Sequence, residues 1–136
     1  MPYLPWKDEF SVGVTQIDEQ HKHLVGLLNG LHEVMGRGGQ RQEISALLHD
    51  LTAYTRFHFD YEEKLMEQAN FDGLEEHRAK HRAMKAEVQR LMMAAEMGDS
   101  SALPIKLMTF LKNWLAKHIG VTDKEYTRAM HRAGIA

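Results

Sequence analysis

The chain has 136 residues, 43% hydrophobic and 26% charged, with a formal net charge of -2, the make-up of one globular domain large enough for its own core. With a pI near 6.5 it carries no footprint of a nucleic-acid or anionic-membrane partner, and no apolar run approaches the roughly 18 residues of a membrane span. There is no cysteine, which excludes disulfides, thiolate metal sites and cysteine nucleophiles, whereas nine histidines offer many neutral-pH metal ligands.

Residues 1–17 read as a non-helical arm. Its start, MPYLPWKDEF, lacks a basic segment followed by an apolar one, so no secretory leader is expected and the cytoplasm is the expected compartment. From about residue 18 to 131, four stretches carry the 3.6-residue period of amphipathic helices. The first holds His21, Val25, Leu28, His32 and Met35; Gly26 and Gly30 inside it cost about 1 kcal/mol each and are read as allowing close helix packing. GRGGQ (36–40) ends it. The second holds Ile44, Leu47, Leu48, Leu51, Thr55, His58, Glu62 and Leu65. ANFDG (69–73) follows, with Asp72 and Glu75 at capping-box spacing. The third holds Leu74, His77, His81, Met84, Val88, Leu91 and Ala95. MGDSS (97–101) separates it from the fourth, where Ser101 is placed to cap and Pro104 falls in the first turn. The fourth holds Leu103, Leu107, Phe110, Leu111, Trp114 and His118. Period-2 alternation is nearly absent. The expected fold is all-α: one domain over 1–136, an antiparallel up-down-up-down four-helix bundle behind an N-terminal arm.

The spacing of polar residues on the apolar faces is more informative than their number. In an antiparallel hairpin, residues equidistant from the turn share a height. His58 and His81 are equidistant from one centre at the edge of ANFDG, and so are Glu62 and His77. His21 and His58 straddle the centre of GRGGQ; His81 and His118 straddle that of MGDSS. Four histidines, one per helix, thus lie at one level, with Glu62 and His77 one turn below and Asp123 beyond His118. Polar groups converging in a dry core are costly unless paired, and a metal removes that cost. Five imidazoles and two carboxylates are too many for one ion. Two six-coordinate ions joined by both carboxylates and an oxo or hydroxo bridge leave one position open, and this all-nitrogen-and-oxygen set points to iron. His118 and Asp123 are five residues apart, about 140° off a common face of a regular helix. Both can ligate only if the helix widens or ends at Gly120, Val121 and Thr122.

The motifs DEQH (18–21), HFDYEE (58–63), HRAKH (77–81) and HIGVTD (118–123), with PWKDEFSVGVTQID and WLAKHI around them, resemble the hemerythrin family over nearly the whole chain. The resemblance implies two non-haem iron ions with a bridging oxo or hydroxo group. It implies that His77, His81 and His118 hold the coordinatively full ion, that His21 and His58 hold the open one, and that Glu62 and Asp123 bridge. Dioxygen is the implied partner, bound reversibly, with no catalytic residue; a protein partner is left open. Val25, Leu28, Leu115 and Ile119 are candidates for an apolar lining. The competing readings are a di-iron oxidase, peroxidase or nitric-oxide-handling protein, and an oxygen or redox sensor. The Glu-x-x-His motif of oxidative carboxylate sites is absent from the sequence. Of the other histidines, His23, His49 and His131 are expected to face water and His32 to be a hydrogen-bonded core residue. Tyr126 and Tyr54 are candidates for contact with a ligand or for plain packing. The nine methionines read as gap-filling core, and the basic residues of RAMHRAG as a solvated last turn.

Overall fold

The structure, a computed structural model, describes residues 3–38, 41–96 and 103–136. Four long helices carry the fold: α1 (Thr15–Gly36), α2 (Arg41–Gln68), α3 (Leu74–Glu96) and α4 (Leu103–Lys117). The last continues through a π turn, His118–Thr122, and a 3₁₀ turn, Asp123–Tyr126, into a short α5 (Thr127–Arg132). Each long helix packs against its chain neighbours and α1 closes against α4, which is the predicted four-helix bundle. Ser101 and the MGDSS turn lie outside the described residues.

The turn between α2 and α3 shows how local chemistry sets this topology. Asn70 adopts φ 52°, a left-handed conformation that asparagine tolerates. The Phe71 amide then donates to the Met66 carbonyl at 3.1 Å and the Asn70 amide to Glu67 at 3.1 Å, satisfying carbonyls the helix end would orphan. The predicted capping box is not used: Glu75 instead accepts from Arg78 Nη1 at 2.7 Å. Helix α1 begins at Thr15, so residues 15–17 belong to the bundle and not to the arm. Its first turn is anchored from below by Asp18, which accepts from the Val12 amide at 2.8 Å and from Ser11 Oγ.

The arm wraps the bundle. Asn29 accepts from the Leu4 amide at 2.7 Å and donates to the Leu4 carbonyl at 3.0 Å. Tyr3 stacks on His32 with centroids 4.1 Å apart; His32 is half-buried against that ring, not a hydrogen-bonded core residue. Nor do Gly26 and Gly30 serve close packing, because a Cβ at either would meet nothing within 4 Å. Gly13, at φ 75°, presents its carbonyl to His131 Nε2 at 2.6 Å, while Thr127 Oγ1 donates to the Val12 carbonyl at 2.6 Å. His131 is therefore exposed but engaged, whereas His23 and His49 are exposed as expected.

Two apolar clusters result. The larger runs up the bundle through Leu24, Leu28, Leu51, Phe59, Met84, Leu111 and Ile119. The smaller, Val12, Val14, Ile17, Met66, Tyr126 and Met130, closes the end where arm, α2–α3 turn and C-terminus meet. Met66, Met84, Met108 and Met130 are buried in them, as gap-filling methionines should be, but Met93 is exposed, so the reading does not hold for all nine. No described helix is long and apolar enough to cross a membrane.

Candidate metal centre

Between the two clusters lies a layer of buried polar residues: His21, His58, Glu62, His77, His81, His118 and Asp123. The helices deliver them as the spacing predicts. His21 and His58 meet Nε2 to Nε2 at 3.0 Å, and His81 and His118 at 3.1 Å; one turn lower, His77 Nε2 lies 3.2 Å from Glu62 Oε1. The π turn over His118–Thr122 resolves the awkward five-residue step. Its extra residue per turn rotates Asp123 back to the face of His118, and Asp123 Oδ1 lies 2.8 Å from His118 Nε2 and 2.9 Å from His77 Nε2.

Donor atoms fall into two groups, each within 4.8 Å throughout. Glu62, His77, His81, His118 and Asp123 form one; His21, His58, Glu62 and Asp123 form the other. The two carboxylates are common to both. Within this set the atoms crowd without pairing well. Both Asp123 oxygens and His21 Nδ1 are buried with no hydrogen-bond partner, although nitrogens lie within 3.0 Å of the carboxylate. Short but misaligned contacts are what a set of ligands gives when its lone pairs converge on points in space and not on one another.

The outer faces of two rings fix which nitrogen is bare. His58 Nδ1 lies 2.7 Å from Gln20 Oε1 and His81 Nδ1 lies 2.9 Å from Glu63 Oε2. Both partners are acceptors, so both Nδ1 atoms donate and both Nε2 atoms of the neutral rings point lone pairs inward. Rings are clamped as well as hydrogen-bonded. Phe59 stacks on His81 at 3.8 Å and 5°, and Trp114 on His118 at 4.2 Å and 15°. Tyr126 OH donates to Glu62 Oε2 at 2.8 Å, so of the two tyrosine candidates Tyr126 touches a ligand. Tyr54 packs against His23 and Phe57 instead. The Gln20 and Glu63 contacts were not anticipated from sequence: the hairpin spacing that pairs Glu62 with His77 pairs Glu63 with Glu76, and it is side-chain reach that brings Glu63 to His81 and Arg78.

Without a metal the layer must balance its charges with protons. Burial depresses the imidazoles of His21, His77 and His118, but the Asp123 and Glu62 carboxylates outweigh it and raise each to about 9. His58 goes the other way: burial, only partly opposed by Glu62, holds it below its ordinary value. Burial alone would raise Glu62 and Asp123; for Glu62 the pull of His58, His118 and His21 prevails, and for Asp123 that of His118 and His21, so both lie below the usual carboxylate range. Burial and the same two carboxylates keep the Tyr126 hydroxyl protonated, its value pushed well up. Cations in place of these protons would satisfy the same anions and the bare Nε2 atoms at once. The residues therefore fit a pair of metal ions, with a donor set of imidazole and carboxylate suited to iron, manganese or zinc.

An up-down-up-down bundle with facing histidines and two shared carboxylates defines the class: a helical-bundle protein whose buried donor cluster could hold metal. The chain belongs to the hemerythrin family; the model of the hemerythrin HHE cation binding domain matches residues 12–130. A bacteriohemerythrin of Stenotrophomonas maltophilia is 31% identical over 93% of this chain and 80% of its own. A myohemerythrin of Riftia pachyptila is 30% identical over 92% and 91%. The crystal structure of a wild-type hemerythrin superposes with a TM-score of 0.86 at 28% identity, over 94% of this chain and 98% of its own.

Proposed function

We propose that this chain binds dioxygen reversibly at a di-iron centre and acts as a carrier or store, not as an enzyme. One observation carries the reading: seven donors divide unequally, three imidazoles against two, around two shared carboxylates. With one bridging oxo or hydroxo group, that division gives six ligands on one side and five on the other, so a single position stays open to exchange. Two iron ions held there supply reversible two-electron exchange with dioxygen.

The chain's own part is to hold, orient and exclude. His77, His81 and His118 would hold one ion, His21 and His58 the other, and Glu62 and Asp123 would be shared between them. Tyr126 keeps Glu62 oriented by its hydrogen bond. Val25, Leu28, Leu115 and Ile119 are buried in the larger apolar cluster, within two helical turns of His21 or His118 along the chain, and a dry wall there would withhold water and protons that turn binding into consumption. The membership in the hemerythrin family and the resemblance to proteins named bacteriohemerythrin and myohemerythrin support the same reading. We place the protein in the cytoplasm, a reducing compartment that a cysteine-free chain suits.

The test is visible absorption with metal analysis, anaerobically reduced and then exposed to air. Two irons per chain, colour on oxygenation and loss of colour under vacuum are expected. Irreversible oxidation, or steady oxygen consumption with a reductant, would replace the carrier by an enzyme or redox sensor.

A further inference from the structure

We infer that Glu63, held by Arg78, is a positioning residue that makes the His77–His81–His118 half of the centre the first to take the higher metal charge. The inference rests on the di-iron reading and deepens it by ordering the two ions.

The two hydrogen bonds that hold histidine Nδ1 atoms from outside the donor set are chemically unequal. On the two-histidine side, His58 Nδ1 donates to the neutral amide of buried Gln20. On the three-histidine side, His81 Nδ1 donates to the carboxylate of Glu63. An anionic acceptor draws the imidazole proton and makes the other nitrogen a stronger donor to a metal; an amide does so less. Its charge also acts through the ring on the ion itself, in surroundings where Coulomb attraction is only partly screened.

Arg78 fixes this arrangement without cancelling it. Its Nε lies 3.2 Å from Glu63 Oε1, leaving Oε2 for His81. Its Nη atoms reach Glu67 at 3.3 Å and Glu75 at 2.7 Å. Three carboxylates share one guanidinium, so the cluster stays negative, while the fork of the guanidinium holds Glu63 in one rotamer. Among the described residues, His58 Nδ1 meets the amide of Gln20 and no carboxylate. One-electron oxidation of the diferrous centre, with the electron passing to a soluble inorganic one-electron oxidant, therefore leaves the ferric ion at the His81 half.

The experiment is spectroelectrochemical titration of the first oxidation step in the iron-loaded protein, with E63Q, Q20E and E67Q. E63Q removes the charge behind His81 and should raise the first potential by the equivalent of a tenfold or greater change in the ferric-to-ferrous ratio, 59 mV per tenfold. Q20E places an anion behind His58 and should lower it. E67Q removes the same charge from the same arginine without touching His81, and should leave the potential in place. The second readout needs no iron. In the diamagnetic di-zinc protein, the His81 Nδ1 proton should resonate downfield of the His58 proton and move back toward it in E63Q. A potential unmoved by E63Q, an equal shift from E67Q, or a His81 proton indifferent to E63Q overturns the inference. If E63Q fails to fold, the sign of the Q20E shift decides. A stoichiometry other than two irons in the parent protein marks failure of the di-iron reading, which is seen before any potential is measured.

Discussion

Replacing Tyr126 by phenylalanine removes one oxygen atom from a position where its role is defined. The ring is fully buried among Val12, Val14, Ile17, Met66 and Met130, and phenylalanine fills the same space, so the apolar contribution hardly changes. What is lost is the hydroxyl's 2.8 Å bond to Glu62 Oε2, donated to a carboxylate that is itself fully buried. A charge-assisted bond of this kind contributes about 1.5–3 kcal/mol, and its removal leaves an anionic oxygen with no water to replace the donor. Taking about 2 kcal/mol, the folding equilibrium of the metal-free protein falls roughly 30-fold. At a urea dependence of about 2 kcal/mol per molar, the unfolding midpoint moves down by about 1 M. The assay is urea unfolding of metal-free protein followed by circular dichroism, with Tyr54→Phe as the control. Tyr54 packs against His23 and Phe57 through its ring and should shift little. A Tyr126→Phe midpoint no lower than that of Tyr54→Phe refutes the reasoning.

The pH response of the metal-free protein has a definite sign. His21, His77 and His118 rise from 6.5 to about 9 on folding, so their stabilisation is complete below pH 6.5 and disappears as pH climbs through 9. Glu62 and Asp123 are lowered, so theirs is present above the ordinary carboxylate range and lost in acid. His58 is lowered, so its contribution is present above 6.5 and lost as pH falls below it; metal-free stability should therefore peak near pH 6.5, and a rise from pH 7 to 9 in chemical denaturation contradicts the charge assignment. Metal uptake must displace the imidazole protons, so zinc titrations in two buffers of different protonation enthalpy should report proton release at pH 7. His77→Ala should lose bound iron on gel filtration while His23→Ala retains two ions, because only His77 belongs to the donor set; equal retention undoes that sorting. Gly26→Ala should stabilise the protein by about 1 kcal/mol in thermal melts, since its Cβ meets nothing within 4 Å; destabilisation would restore the packing role first read into that glycine.

The centre was legible in the sequence because helical geometry is rigid. Residues equidistant from a turn share a height and residues four apart share a face, so His21, His58, His81 and His118 could be levelled from turn positions alone. Even the π turn was signalled by a five-residue step that no regular helix can reconcile. Misreadings fell where geometry leaves a choice. Gly26 and Gly30 cost the same in a helix whether they face a neighbour or water, so their price says nothing of direction. His32 follows the apolar period, yet the arm folds Tyr3 over it, and the path of an irregular segment has no period to read. Asp72 and Glu75 have capping-box spacing, but Arg78 competes for Glu75. Gln20 and Glu63 were passed over because side-chain reach, unlike height, depends on rotamers.

The widened turn at His118–Thr122 also bears on how this chain can change in length. Loss of one residue there would relax the backbone to an ordinary helix, since the π form is the less favoured. Shortened to four residues, the step from His118 to the aspartate would span about 400°, within about 40° of one face, so the regular helix would keep the aspartate, Tyr126 and Met130 near the faces they occupy. Gain of a residue would instead turn them about 100° off those faces. Over these five residues, therefore, gain and loss are not equivalent: an added residue separates the faces of His118 and Asp123, whereas loss of the one that widens the turn leaves them together.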